Sequence, residues 1–453
     1  LIVIRVPGAP FLARSLREKW GFRQSEVEAD LGEPRGAEPA LSKRSAPNGS
    51  FCERNNRAFG SLPLRLASKT LQLIVCHPDP TALRCLTMPG LTLPRATKPL
   101  TISKGVSANL DFLRAIAVLL VLTQHLCRRM HVEHLAWIPT TSLGLFGVLL
   151  FFVHTSLVLM YSMDRSGLHG APLFKDFYIR RIFRIYPLSI LAVAAAVALH
   201  LNSDINGIAG LSHGPLPGKL AILSQFLLVQ NLVHVKSIVN VLWSLPFEVQ
   251  MYLFLPFLFV WVKRRWAQHK PVFWPLLGLW AVSLASAWSQ PNFSILGRAS
   301  LLLFVPCFLP GIIAFAGPRV PRLRSYLWPI FILGLVCAFS LYPVLPMGWL
   351  LCLILGVLIP FFREIQSRSI RFISHRIATY SYGIYISHQF CIWFALGVLM
   401  AQPLWLRLAV LSSSLVLVPI LLYHGVEKPM ILAGIRLATR LRDKPTAPMV
   451  VAA

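Results

Sequence analysis

The sequence predicts an all-α fold, a polytopic transmembrane helical bundle of about ten spans. Three observations carry the prediction. Of 453 residues, 55% are hydrophobic and 13% charged, where soluble domains carry about 25% charged residues. Apolar runs near the ~20 residues needed to cross a bilayer recur through most of the chain. The basic residues behind the net charge of +27 fall in short clusters between those runs, which reads as membrane topology and argues against nucleic-acid binding.

The first hundred residues differ. Residues 1–100 mix prolines, charges and polar residues without a sustained helical or strand period, and the first methionine is Met88. They are expected to be an N-terminal extension, either disordered or the product of an over-extended reading frame that truly starts near Met88. Residues 101–436 form the expected transmembrane domain and 437–453 a cytoplasmic tail. The eight cysteines contain no CxxC pair, so neither a metal site nor a disulfide framework is expected.

The expected spans are 109–127, 143–162, 184–201, 243–262, 272–289, 300–317, 326–342, 345–362, 378–400 and 405–426. Segment 219–235 is ambiguous, because Gln225, Gln230, Asn231 and His234 are costly against lipid. Charge settles its parity. With that segment left out and the N-terminus in the cytoplasm, five basic clusters fall inside: Arg165 to Arg181, Lys263 to Lys270, Arg319 to Arg324, Arg363 to Arg376 and Lys428 to Arg442. Counting it as a crossing moves four of them outside. Arg128 and Arg129 stand against the trend.

Polar residues inside apolar helices mark the candidate site. The first span holds Asp111, Arg114 and His125. Arg114 and His125 are eleven residues apart, about 16 Å along a helix and nearly on one face. Either that face lines a channel, or Asp111 and Arg114 pair at the helix entrance and His125 marks the opposite interface. Histidine is the side chain best suited to take and return a proton near neutral pH.

Ahead of the third expected span, Arg180, Arg181 and Arg184 either fix topology or clamp an anion such as a phosphate. Glu248, the only acid of the fourth span, is expected to face the bundle interior, pairing with Arg or His or binding a hydroxylated ligand. His388 reads either as an interhelical hydrogen-bond residue or as part of a site, and Glu427 is placed at a helix exit stopped by Pro429. No GxxxxGK[ST], HExxH or strand-linked GxSxG pattern occurs, which argues against an ATP-driven pump, a metalloprotease and an α/β-hydrolase.

Taken in order, these segments resemble the membrane acyltransferase-3 family, which includes bacterial O-antigen, exopolysaccharide and Nod-factor O-acetyltransferases. The resemblance runs from about 107 to 436. LDxLRxIAxLxVxxxH is matched from Leu110 to His125, RRxxRIYP from Arg180 to Pro187, WSLxxExxxYLxxP from Trp243 to Pro256, and SYGIYxxH from Ser381 to His388, followed by VEKP from Val426 to Pro429. The FFxxSG step is only partly kept, as FFVHTSL from Phe151 to Leu157, and loses a glycine that permits close helix approach.

The resemblance implies transfer of an acyl group, usually acetyl, from cytoplasmic acyl-CoA to a hydroxyl of a cell-surface or lipid-linked carbohydrate at a bacterial inner membrane. By the same implication His125 is the catalytic base with Arg114 its partner, and Asp111 and Glu248 belong to the catalytic set. Arg180, Arg181 and Arg184 hold the coenzyme A phosphates, and Trp243, Tyr252 and His388 bind the acceptor. The rival reading is a transporter of a glycan or anionic solute that uses the same charges as a pathway; a receptor or scaffold leaves them unexplained.

Overall fold

The computed structural model describes residues 107–203, 210–290 and 300–442. The expected extension over 1–100 lies outside the described residues. The helices are α1 (Ala108–Arg129), α2 (Thr140–Ser166), α3 (Gly170–Ala198), α4 (Lys219–Phe226), α5 (Leu245–Ala267), α6 (Phe273–Trp288), α7 (Val305–Ala316), α8 (Leu327–Leu341), α9 (Leu345–Leu358), α10 (Arg368–Trp393), α11 (Leu404–Leu422) and α12 (Lys428–Arg442). Among the described residues, sheet is confined to two short antiparallel hairpins, β1–β2 (His134–Leu135, Ile138–Pro139) and β3–β4 (Leu201–Ser203, Leu211–His213). The molecule is an all-α membrane bundle.

A helix stands at each of the ten expected spans. Five stretches are long and apolar enough to cross a membrane: α1, α2, α3, Asn240–Ala267 and Leu404–Arg442. α6 to α9 are shorter. α10 is long, but its buried Ser381, Ser387, His388 and Gln389 make it polar for a span. Nearly every residue of α7 is buried, so it meets protein instead of lipid. α2 is the central helix, 78% buried over its apolar window, whereas Leu404–Arg442 is 11% buried and presents Leu417 and Leu421 outward.

Two boundaries are corrected. α3 begins at Gly170, not near 184, and continues through Pro187, so Arg180, Arg181 and Arg184 sit in mid-helix and not ahead of a span. Pro429 does not stop a helix either: α11 passes through a π turn, Tyr423–Glu427, straight into α12. A proline ring ordinarily clashes with the carbonyl four residues earlier, and the wider turn gives it room.

Segment 219–235 keeps to its expectation. Its one helix, α4, has eight residues, about 12 Å, well short of the ~30 Å hydrocarbon core. The polar residues that make the segment costly in lipid are used locally. Gln225 donates to the Lys236 carbonyl (3.1 Å) and accepts from the Ile238 amide (3.3 Å), Gln230 donates to the Leu242 carbonyl (3.1 Å), and Asn231 exchanges two hydrogen bonds with Gln250 of α5.

Contacts also gather the basic clusters. Lys263 pairs with Asp164 (2.9 Å), the Arg319 guanidinium lies 4.8 Å over the Tyr161 ring, and the Arg322 amide bonds the Phe361 carbonyl. Glu364 accepts from Ser107 (2.7 Å) and from the Asn109 amide (3.0 Å) at the start of α1. These segments therefore share one end of the bundle. Arg129, which donates to the Leu396 carbonyl (3.0 Å), belongs to the other.

The glycine missing from the FFxxSG step is replaced from across the interface. Ser156 of α2 donates to the Phe308 carbonyl of α7 (2.7 Å), and Gly311 of α7 lies so near that a Cβ there would sit 2.1 Å from Ser156 Oγ and 2.3 Å from the Val153 carbonyl. Stacked Phe152 and Phe308 rings (4.3 Å) close the same contact. Small residues let membrane helices approach. Gly311→Ala is expected to lower stability by about 1–3 kcal/mol through overpacking. Gly278→Ala, at a helical position with open space, is expected to be neutral or slightly stabilising; thermal unfolding of the two detergent-purified variants checks the contrast.

Candidate active site

The polar residues of the bundle interior form two centres joined by α1. The first surrounds Arg114. Its electrostatic neighbours are Arg184 of α3, Glu248 and Tyr252 of α5, and Glu427 of the π turn. Arg181 meets the same Tyr252 and Glu248, and buried His154 of α2 faces both Arg114 and Arg184. Arg184 Nη2 lies 3.4 Å from Glu427 Oε1, and Glu427 is 1% exposed. The Tyr252 hydroxyl donates to Glu248 one helical turn away. Tyr382 of α10 ties its hydroxyl to the Ile185 carbonyl (2.7 Å), fixing α10 against the arginine helix.

Chemically this centre sets three guanidiniums against two carboxylates, which leaves it cationic. The Nε of Arg114 and both carboxylate oxygens of Glu427 have no hydrogen-bond partner among the described residues. Buried donors and charges in that condition are ready to bind. The gap between Arg184 and Glu427, longer than a direct charge-assisted hydrogen bond, fits a pair held together by charge with room to open.

The second centre surrounds His125. Its ring meets that of His388 at 5.1 Å between centroids, tilted by 47°. The side-chain amide of Gln389 lies 3.3 Å from His125 Nδ1. His388 is fixed by its own helix: Nδ1 donates to the Ile384 carbonyl (3.0 Å), and Nε2 has no partner among the described residues. His125, Arg129, Gln389, Ile392 and Trp393, with Gly210 and Leu211 of the β3–β4 hairpin, line a pocket. His213 of that hairpin stands edge-on to Trp393 at 5.7 Å.

At the start of α5 stands a packed aromatic wall. Trp243 sits among Phe304 (5.7 Å) and Phe247 (6.2 Å). Tyr385 donates to the Val241 carbonyl (2.6 Å) and therefore accepts from Ser244 (2.6 Å). These bonds fix the short 3-10 turn Asn240–Ser244 that aims α5 into the bundle.

The structure thus brings together Arg114, Arg181, Arg184, Glu248 and Tyr252, and separately His125 and His388. Arg114 and His125 share a helix but belong to different centres. Asp111 forms its ion pair with His375 of α10 at 2.8 Å, and Arg114 is only a lesser electrostatic neighbour of it. Arg180 is taken up by Asp176 (2.8 Å), and Trp243 by the aromatic wall. Sequence reasoning missed Gln389, which only its adjacency to His388 in an apolar run signals, and His375. It placed Glu427 at a helix end and not in the arginine centre.

Removal of the acid leaves Arg184 and Arg114 facing each other without it. Glu427→Ala is expected to cost about 1–3 kcal/mol, the usual penalty for an unpaired buried polar group. Lys428→Ala, whose side chain is exposed, is expected to stay within about 0.5 kcal/mol of the parent protein. Equal unfolding temperatures for the two variants contradict the pairing.

No curated protein and no solved structure matches the chain. A family profile described as an acyltransferase domain matches residues 107–424, a span that holds both polar centres except Glu427. The bundle, the motif order and that match agree: the chain belongs to the acyltransferase-3 family and is a membrane acyltransferase.

Proposed function

We propose that the protein moves an acyl group, acetyl first among them, from acyl-CoA to a hydroxyl of a cell-surface or lipid-linked carbohydrate. The observation that carries this reading is the division of the interior into a cationic centre and a histidine pocket, eleven residues apart along one helix face, about 16 Å. A coenzyme A donor is a phosphate-bearing anion with a long flexible arm. Phosphates suit guanidinium groups, so Arg181 and Arg184, with Arg114, hold the donor while its thioester reaches toward His125. Arg180 acts at the mouth of that site.

The acceptor lies in the pocket beside His125, Gln389 and Trp393. His125 takes the hydroxyl proton as the oxygen attacks the thioester carbonyl; the carbon–sulfur bond breaks, the ester forms, and the proton passes to the departing thiolate. Glu248, Tyr252 and Trp243 hold the two substrates in line, His388 contacts the acceptor, and Asp111 fixes the start of α1. No metal is required by this chemistry.

Placing the shared basic end in the cytoplasm of a bacterial inner membrane, with both termini on that side, gives the donor its compartment and the pocket the opposite face. His125→Ala is expected to lower acyl transfer roughly 10²-fold or more with the protein still folded. Arg181→Ala with Arg184→Ala is expected instead to raise KM for acetyl-CoA. The check is mass spectrometry of membrane glycans together with CoA release from acetyl-CoA in membranes; full transfer by folded His125→Ala contradicts the assignment.

A further inference from the structure

In the structure the carboxamide of Gln389 lies against His125 Nδ1, with its amide nitrogen Nε2 the nearer end at 3.3 Å. Gln389 is 2% exposed, and its Oε1 has no partner among the described residues. The other polar groups near the imidazole do not do this work. His388 spends Nδ1 on its own helix and offers His125 a tilted ring. Arg128 is an electrostatic neighbour on the same helix. Arg129, also on α1, is tied to the Leu396 carbonyl. His213 of the hairpin faces Trp393. The rest of the pocket lining, Gly210, Leu211, Ile392 and Trp393, is uncharged.

A neutral imidazole is a base at one nitrogen only, and the hydrogen bond at the other nitrogen decides which. A carboxamide has an acceptor end and a donor end, exchanged by a half-turn of its last torsion. With the amide nitrogen on Nδ1, the placement seen in the structure, His125 keeps its proton on Nε2. With Oε1 on Nδ1–H, Nε2 presents a lone pair, and the same carbonyl holds Nδ1–H after Nε2 has taken a second proton. A buried neutral amide achieves this without the cost of a carboxylate inside the membrane.

We propose that Gln389 is a positioning residue that sets the tautomer of His125: a half-turn of the carboxamide from the placement seen here brings its unpartnered carbonyl onto Nδ1–H, so that Nε2 faces the acceptor hydroxyl. This rests on the reading of His125 as the base. It adds a residue from α10 to the reaction, and it gives the α1–α10 contact a chemical purpose beyond packing.

The experiment compares Gln389→Met, Gln389→Glu and His125→Ala in full-length protein in native membrane vesicles, which contain the acceptor. Release of CoA from added acetyl-CoA is followed against pH and acetyl-CoA concentration. Gln389→Met keeps the shape and loses the hydrogen bond, so kcat falls roughly 10²-fold while KM for acetyl-CoA is unchanged. Gln389→Glu only accepts, so it retains activity within about tenfold, and its charge moves the acidic limb of the pH–rate profile to higher pH. A packing role gives the reverse ranking, with Met tolerated and the buried Glu harmful.

Wild-type kcat in Gln389→Met beside an inactive His125→Ala overturns the proposal and leaves the base reading standing. An active His125→Ala overturns both. Should Gln389→Met fail to fold, the acidic limb of Gln389→Glu decides: an upward move supports the proposal, and an unmoved limb overturns it.

Discussion

Three arginines inside a membrane bundle can be kept charged only by groups that face them, and the protein's interior is organised around that demand. Arg114, Arg181 and Arg184 come from two helices, while the opposing Glu248 and Glu427 come from α5 and from the π turn after α11. Each carboxylate alone in lipid, or each guanidinium alone, is expensive enough to displace its helix. Together they fix four segments in one arrangement. The cost is not fully recovered, since Arg114 Nε and the Glu427 oxygens have no hydrogen-bond partner among the described residues. A site that binds an anion needs such an unspent cationic surface.

The opposite end of α1 follows a different rule. Around His125 stand a second histidine, a carboxamide, a tryptophan, the backbone of a hairpin and one lining cation, Arg129, which is tied to the Leu396 carbonyl; no carboxylate lines the pocket. The two centres thus have electrostatic surroundings of their own while sharing one helix.

Much of this was legible in the sequence, because lipid imposes periodicity and composition on a chain. The ten apolar runs each hold a helix, and the charge pattern separated segment 219–235 from the crossings before its short helix and local hydrogen bonds were seen. His125, Arg114, Glu248 and His388 stood out because ionisable residues are rare in such helices. Partnerships were not legible. Asp111 was weighed against Arg114, its neighbour at i+3, yet it bonds His375 from a helix more than 250 residues later. Gly311 compensates for the serine at 156 from 155 residues away. Pro429 read as a boundary, yet a π turn carries the helix past it. Gln389 is an ordinary polar residue until folding lays it on His125.

The central claim is that the donor is held at the basic end and the acceptor at the His125 end, with α1 spanning the two. The most direct measurement reconstitutes the full-length protein in vesicles of known orientation with acetyl-labelled acetyl-CoA, which does not cross bilayers, on one side and a membrane glycan extract as acceptor. The account predicts labelled O-acetyl ester only when acetyl-CoA is supplied on the face bearing the basic clusters, with the ester appearing on glycan exposed at the opposite face. Labelling with acetyl-CoA supplied only on the His125 face, or ester confined to the basic face, contradicts it.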